Sequence, residues 1–273
     1  MGIHYFLSFV TEMGLSYPVV FAALSGLAAL LALAFCTWLV SLAKHDASVV
    51  DSVWAVFILL GAVIYAAALP QSGPRTLCVI ALTALWSIRL TAYLTWRNWG
   101  EPEDRRYQDI RARNQPNFER KSLYLVFILQ AVLAWIISAP LLAALAGVRP
   151  LGWLDAVGGT VVIFGVVIES VGDAQLVRFK SAAANRSRVM NRGLWRYTRH
   201  PNYFGEFCVW WGFYLIALSA DGEWAIISPL LMSVLLLKVS GVALLEKDIA
   251  ERRPAYREYV SRTNAFFPGT PKS

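Results

Sequence analysis

The stretch "GLWRYTRHPNYFGE", residues 193–206, concentrates basic and amide side chains just before an apolar run. Arg196, Arg199 and His200 come first, and Pro201 suits the first turn of a helix, where its missing N–H costs nothing. The unbonded backbone N–H groups of a helix start attract anions, and arginine side chains beside them bind phosphate. The stretch therefore predicts a phosphate site at the mouth of a helix. A basic loop that binds lipid headgroups is the alternative.

Two pairs of polar residues, each four positions apart, lie at the ends of apolar runs. Asn202 and Glu206 open the run that follows the basic stretch, and Glu169 and Asp173 close an earlier run. Residues four apart share a helix face, so each pair indicates a polar surface that faces a cavity. Such a cavity could hold the ribose and amide ends of a nucleotide. For Glu169 and Asp173, a solvated helix end is the alternative.

Two further charged residues lie within apolar runs, where a charge costs about 2.5–3.5 kcal/mol on insertion scales. Asp51 stands near the start of its run, where it either meets the positive end of a helix or acts as an acid in an apolar pocket. Arg89 shares a helix face with Trp86, Tyr93 and Arg97, at steps of three and four. Arg97 fits an interfacial arginine, whereas Arg89 lies two turns deeper and suits an anionic group that reaches between helices.

Seven apolar runs of about 20 residues or more are long enough to become the membrane helices that position these side chains. They lie at roughly 18–42, 49–69, 76–96, 123–146, 152–173, 203–220 and 223–245. Hydrophobic residues make up 57% of the 273 positions and charged residues 16%, which leaves no room for a large soluble domain. The sequence predicts one all-α domain over residues 1–273, a polytopic integral membrane bundle of seven transmembrane helices.

Basic residues are distributed unevenly between the two sides of such a bundle. Of the 25 Lys and Arg, 21 lie in loops on one side, in 97–121, 174–202 and 246–273 and at Lys44. The opposite loops hold Arg75 and Arg149. This positive-inside pattern predicts an external N-terminus, a cytoplasmic C-terminus and a site open to the cytoplasm. A net charge of +7 could suggest a nucleic-acid-binding protein, but this distribution of the basic residues argues against that function.

Cysteine and histidine residues form no recognisable set for catalysis or metal binding. Cys36, Cys78 and Cys208 lie in predicted spans, no zinc-ligand spacing occurs and no nucleophile stands beside a base. A glycine-rich dinucleotide fingerprint is also absent. The residues alone predict a membrane enzyme that binds a nucleotide-like cofactor between helices, acts on an apolar substrate and uses no metal.

The longer polar segments resemble the steroid 5α-reductase family, most closely its bacterial branch, which carries an uncharacterised domain grouped with that family's C-terminal region. The segments that carry the resemblance are "RLTAYLTWRNWGEPEDRRY", "ESVGDAQLVRFK", "GLWRYTRHPNYFGE" and "LEKDIAERRPAYREYVSRTNAFFP", which span most of residues 85–268. By itself, "RHPNYFGE" is also similar to the Arg-His-Pro-x-Tyr pattern of isoprenylcysteine and phospholipid methyltransferases, which use S-adenosylmethionine.

The resemblance implies seven membrane helices, NADPH held by the C-terminal helices, and reduction of a carbon–carbon double bond conjugated to a ketone. The positions it implies for the cofactor are Arg89, Tyr93, Glu169, Asp173, Lys180, Arg188, Asn202 and Glu206. At Glu169 the family pattern has asparagine. The rest of the predicted cofactor set is Arg196, Tyr197, Arg199, His200 and Glu246.

The chemistry implied by the resemblance rests on two more positions. Family members hold the substrate ketone with a glutamate on the second span and a tyrosine on the third, and the counterparts here are Asp51 and Trp86. The expected substrate is a steroid-like or other apolar enone that enters from the bilayer lipid. Two alternatives stand beside this reductase: an S-adenosylmethionine-dependent methyltransferase, and a lipid-binding or transport protein.

Overall fold

The structure, a computed structural model, describes residues 16–185, 188–239 and 255–272. Within these ranges the chain forms helices joined by loops, and no strand occurs. The all-α prediction is therefore confirmed for the described residues. The chain divides into two compact units, one of Met1–Leu151 with Ala217–Ala225 and the other of Gly152–Ile216 with Ile226–Ser273.

The first unit is built around four long apolar helices. Its helices are α1 (Tyr17–Lys44), α2 (Val49–Ala68), α3 (Pro74–Asn98), α4 (Arg105–Arg113) and α5 (Phe118–Ala146). Helix α2 packs against both α1 and α3, and α5 packs against α1 and α2. Helix α4 is short and polar, and Asp104 caps its start by accepting a hydrogen bond from the Arg106 N–H.

Helix α5 departs twice from regular α-helical geometry. A π turn occupies Leu123–Ile128, and the helix is interrupted at Ser138, two residues before Pro140. Proline has no N–H and its ring crowds the preceding turn, so it explains the second interruption. The Tyr65 hydroxyl of α2 lies 2.8 Å from Ser138 Oγ, and this buried hydrogen bond fixes the break against α2.

The second unit contains the helices that carry most of the predicted site. They are α6 (Trp153–Ser181), α7 (Pro201–Leu218), α8 (Ile227–Val234) and α9 (Ala255–Arg262). A 3-10 turn, Gly193–Arg196, precedes α7, and a π turn, Leu235–Val239, follows α8. Residues 262–272, which begin at the last residue of α9 and continue as bends and loop, form a short segment that we call the C-terminal strap.

Helices α6 and α7 approach closely along a line of glycines. A Cβ atom on Gly165 of α6 would lie 2.6 Å from the Gly205 carbonyl oxygen of α7. About two helical turns away, a Cβ on Gly158 would lie 2.6 Å from the Gly212 oxygen. Small residues allow such backbone contact between apolar helices. The glycine seam therefore brings the polar pairs of α6 and α7 next to each other.

Five helices are long and apolar enough to cross a membrane: α1, α2, α3, α5 and α6. They coincide with the first five predicted spans, and the protein is accordingly a membrane protein. The sixth predicted span falls on α7, which has 18 residues and carries Glu206 in its first turns. The seventh falls on α8 and continues into residues outside the described ranges. Seven spans and their orientation stay predictions.

Candidate anion-binding site

An open groove of about 910 Å³ lies in the second unit. Residues 188–196, helix α9 and the end of the C-terminal strap contribute its lining. The charged side chains in that lining are Arg188, Arg192, Arg196, Glu258, Arg262 and Lys272. Five of the six are cations, and the volume falls within the roughly 300–1,000 Å³ of cofactor pockets. The groove is therefore suited to a phosphorylated ligand of nucleotide size.

A tight turn positions Arg196 in this lining. Gly193 begins the turn with φ 59°, a conformation that glycine adopts without strain. The Gln175 side-chain oxygen of α6 accepts a hydrogen bond from the Leu194 N–H at 3.0 Å, which ties the turn to α6. Arg188, the other groove residue predicted from the sequence, stands five residues earlier than Gly193. The structure thus brings Arg188 and Arg196 to one surface.

Arg199 has a different environment from the one expected for a phosphate ligand. Its side chain is buried, with 8% of the residue exposed, and it is absent from the groove lining. Nη1 donates to the carbonyl oxygens of Thr263 at 2.5 Å and Val260 at 3.2 Å. The Arg199 N–H donates to the Asn264 oxygen at 2.9 Å. Because the chain end folds back onto the start of α7, Arg199 binds backbone carbonyls there.

Further contacts fasten the C-terminal strap to the start of α7. Thr198 Oγ1 donates to the Phe266 oxygen at 2.7 Å, and the Gly269 N–H donates to the Tyr197 oxygen at 3.0 Å. The Phe266 and Phe267 rings pack edge-on against Phe207 of α7, with centroids 5.6 Å away in both cases. This docking brings Arg262 and Lys272 to the groove.

The two predicted polar pairs meet between α6 and α7. Asn202 Nδ2 donates to Asp173 Oδ1 at 3.3 Å, and Glu206 Oε1 accepts a hydrogen bond from Trp210 Nε1 at 2.9 Å. Glu169 lies at the glycine seam, where a Cβ on Gly205 would come within 2.6 Å of its Cγ. Glu169, Asp173 and Glu206 are buried. A solvated helix end therefore does not describe Glu169 and Asp173.

The remaining predicted residues of the second unit differ in exposure. His200 is buried and its ring stacks on Tyr203, with centroids 5.5 Å apart and planes at 5°. Tyr197 and Lys180 are exposed. Glu246 lies outside the described residues. Among the described residues, no group of three His, Cys, Asp or Glu side chains could hold a metal ion.

In the first unit, the predicted shared face of α3 is present. The guanidinium carbons of Arg89 and Arg97 lie 5.6 Å and 5.8 Å from the centroid of the Tyr93 ring. Both arginines therefore make cation–π contacts with one aromatic ring. Trp86, one turn further from Arg97 than Arg89, is fully buried within the unit.

Asp51 is an ion-paired carboxylate in the structure. Its Oδ2 lies 2.6 Å from Arg106 Nη2, and its Oδ1 accepts a hydrogen bond from the Tyr107 hydroxyl at 2.6 Å. Burial and then the Asp51 charge raise the pKa of the Tyr107 phenol. Burial alone would lower the pKa of Arg106, but the charges of Asp51 and Asp104 outweigh it and raise that pKa. The Asp51 carboxylate at the start of α2 therefore bonds two neighbouring residues of α4.

Together, the fold and the groove define a helical membrane protein with a basic, nucleotide-sized groove near its C-terminus. Residues 37–263 match the family described as "Protein of unknown function (DUF1295)", and the chain belongs to that family. The relative named "Uncharacterized protein C594.04c", from Schizosaccharomyces pombe, is 28% identical over 264 residues, covering 85% of this chain and 75% of the relative. No solved structure matches the chain.

Proposed function

We propose that the protein is an integral membrane reductase that uses NADPH to reduce a carbon–carbon double bond conjugated to a ketone. The substrate class is a steroid-like or other apolar lipid that enters from the bilayer. The basic groove of the second unit is the observation that carries the proposal, and the resemblance to steroid 5α-reductases supplies the reaction.

The charge of the groove favours a dinucleotide over S-adenosylmethionine. NADPH carries a diphosphate and a ribose phosphate monoester, and the monoester alone bears about −1.5 to −2 charges near neutral pH. Five cations and one carboxylate line the groove, which complements these charges. S-adenosylmethionine instead presents a sulfonium and an ammonium group against one carboxylate, so its net charge is positive. The same lining would repel it.

The residues of the second unit have distinct roles in the proposal. Bound NADPH would supply a hydride to the β carbon of the enone, and a proton at the α carbon completes the reduction. Arg188 and Arg196 bind phosphate oxygens through charge-assisted hydrogen bonds. Asn202, with Asp173 and Glu206, offers both amide and carboxylate groups to the polar end of the nicotinamide. Burial of Asp173 and Glu206 between α6 and α7 would limit the access of water to the reaction.

Residues of the first unit keep their predicted roles, with one change. Arg89 and Tyr93 are proposed cofactor contacts, and Trp86 a proposed N–H donor to the substrate ketone. The proposal gives Asp51 no acid role, because its carboxylate is paired with Arg106 and Tyr107. Asp51 instead anchors α4 to the start of α2.

NADPH consumption by the purified protein, measured against a panel of 3-keto-4-ene steroids, tests the proposal. We expect consumption with at least one enone, and we expect Arg196→Gln to raise the KM for NADPH about tenfold. Arg257→Gln is the matched control, since Arg257 is exposed on α9 but does not line the groove. Methyl transfer from S-adenosylmethionine without NADPH consumption would contradict the proposal. Binding of anionic lipid without turnover of either cofactor would favour a lipid-binding protein.

A further inference from the structure

We propose that the C-terminal strap is part of the phosphate-binding site, with Arg262 and Lys272 as phosphate ligands and Arg199 as their positioning residue. The inference deepens the proposed function and rests on it for the nucleotide as the source of the phosphate. Phospholipid headgroups present the same phosphate chemistry, so the experiment below separates the two sources.

The strap is docked on the second unit through both backbone and side-chain contacts. Arg199 bonds the carbonyl oxygens of Val260, Thr263 and Asn264 through its side chain and its N–H. The Tyr259 hydroxyl donates to the Trp195 oxygen, which joins α9 to the turn that carries Arg196. These bonds connect the last turn of α9 and the strap to residues 195–199. The two sides of the groove are thereby held to each other.

Arg262 and Lys272 are placed to act together on an anion. The Lys272 N–H donates to the Arg262 oxygen at 2.8 Å, so the end of the strap turns back to α9. Both residues line the groove. Arg262 pairs with Glu258 at 3.4 Å, but their side chains are 60% and 70% exposed, and such a pair contributes little in water. A phosphate that displaces this pair would gain a stronger, charge-assisted contact.

Arg262 and Lys272 of the strap are two of the five cations that line the groove. Without Arg262 and Lys272, the basic lining would consist of Arg188, Arg192 and Arg196 alone. Three arginines suit one phosphate or diphosphate, whereas five cations also suit an additional phosphate monoester. We therefore expect the strap to contribute most to binding of ligands that carry this extra group.

Arg199 influences the ligand through the strap and not by contact. Its planar guanidinium can bond several carbonyl oxygens at fixed angles, which a lysine ammonium on a flexible stem cannot reproduce. Arg199→Lys keeps the charge and should still loosen the strap. A direct phosphate ligand would tolerate this change better than a positioning residue does.

The test uses the full-length protein in detergent and measures dissociation constants for 2′,5′-ADP and for 5′-AMP by calorimetry. We expect Arg262→Gln and Lys272→Gln each to weaken 2′,5′-ADP binding about tenfold and to affect 5′-AMP less. Arg257→Gln on the same helix should change either constant less than about twofold. Equal effects of Arg262→Gln and Arg257→Gln would overturn the inference.

Arg199→Lys is measured alone and combined with Arg262→Gln. Because Arg199 is proposed to act through Arg262 and Lys272, the two losses should overlap, and the double variant should lose less affinity for 2′,5′-ADP than the sum of the two single losses. Fully additive losses would overturn the positioning role. Thermal unfolding of every variant identifies loss of fold, and Arg262→Gln and Lys272→Gln test the site even if Arg199→Lys does not fold.

Two further measurements distinguish a nucleotide from a phospholipid as the ligand, and the phosphate site from the proposed reductase activity. Strap-dependent binding of phosphatidylglycerol nanodiscs, without strap-dependent binding of 2′,5′-ADP, would overturn the nucleotide as the source and retain the phosphate site. Strap-dependent binding of 2′,5′-ADP in a protein that consumes no NADPH with any enone would support the strap and contradict the reductase. No strap dependence with either ligand would overturn the inference.

Discussion

At the scale of single residues, the partners of Asp51 and Arg199 revise what their positions suggest. Asp51 pairs with Arg106, 55 residues later, and Arg199 bonds Thr263, 64 residues later. Sequence spacing reports neighbours on one helix and says nothing about such distant partners. The acid role of Asp51 and the phosphate role of Arg199 were therefore inferred from type and position alone. Arg262 and Lys272 were missed for the same reason, because only the folded chain end brings them to the groove.

Asp51→Asn should lower the free energy of unfolding and leave much of the NADPH turnover intact. The change removes the ion pair with Arg106, and we expect a loss of about 1–2 kcal/mol in the free energy of unfolding. This is less than the roughly 3–5 kcal/mol of a fully buried pair because the Arg106 side chain is 38% exposed. Thermal unfolding of Asp51→Asn, Arg106→Gln and the double variant measures the contribution of this ion pair to stability. If Asp51→Asn left stability unchanged and abolished NADPH turnover, the result would support the catalytic acid role predicted from the sequence.

Glu103 should make the first unit sensitive to acid. Burial alone would raise the pKa of its carboxyl, but hydrogen bonds from Arg111 and the Ala47 N–H outweigh it and hold that pKa below its usual 4.5. A carboxyl with a depressed pKa in the folded state stabilises the protein above its unfolded pKa, and this stability is lost as the pH falls through the folded pKa.

The melting temperature, followed from neutral pH to below 4.5, measures this contribution. We expect Glu103→Gln to be less stable than the parent at neutral pH, with a difference that shrinks in acid. Asp109→Asn, at an exposed position of α4, is the control and should leave the profile unchanged. A Glu103→Gln difference that stays constant through the acid range would contradict the account.

At the scale of elements, the apolar helices could be predicted and their polar connections could not. A membrane core requires long apolar runs, so the sequence indicated α1, α2, α3, α5 and α6 directly. The glycine seam was not predicted, because a glycine at helical spacing reveals no partner helix. Helix α4 is short and polar and is held by an ion pair with a distant residue, Asp51. The C-terminal strap is held by backbone hydrogen bonds and aromatic contacts with distant residues.

Gly205→Ala should separate α6 from α7. The added Cβ would meet the Gly165 oxygen and Glu169 Cγ at 2.6 Å each. Overpacking of this kind costs about 1–3 kcal/mol, and the shift should also weaken NADPH binding by moving the polar pairs apart. Gly73→Ala is the control, since a Cβ there meets nothing within 4 Å. Thermal unfolding and NADPH titration of both variants measure the effect; equal behaviour of the two would argue against close packing at the seam.

At the scale of the whole molecule, the proposed NADPH-dependent function requires the groove to face the side of the membrane where NADPH is available. The positive-inside distribution predicts that the C-terminal strap is cytoplasmic, where NADPH is available, and that the loop between α2 and α3 is external.

Cysteine accessibility tests this orientation. In a variant without Cys36, Cys78 and Cys208, single cysteines are introduced by Ser72→Cys and Thr270→Cys, both at exposed positions. A membrane-impermeant thiol reagent should label Ser72→Cys in intact cells and Thr270→Cys only after permeabilisation. The reverse labelling pattern would show that the orientation is opposite to the predicted one. Labelling of both cysteines in intact cells would place the α2–α3 loop and the strap on the same side of the membrane, which contradicts the predicted seven spans.

The central claim, that the basic groove binds a phosphorylated dinucleotide, is tested most directly by titrating the purified protein with NADPH and with S-adenosylmethionine. A ligand that binds only the folded state raises the melting temperature, and the increase grows with the ratio of the ligand concentration to its dissociation constant. We predict that NADPH raises it, that Arg196→Gln and Arg262→Gln reduce the increase, and that S-adenosylmethionine has no effect. Stabilisation by S-adenosylmethionine and not by NADPH would contradict the account.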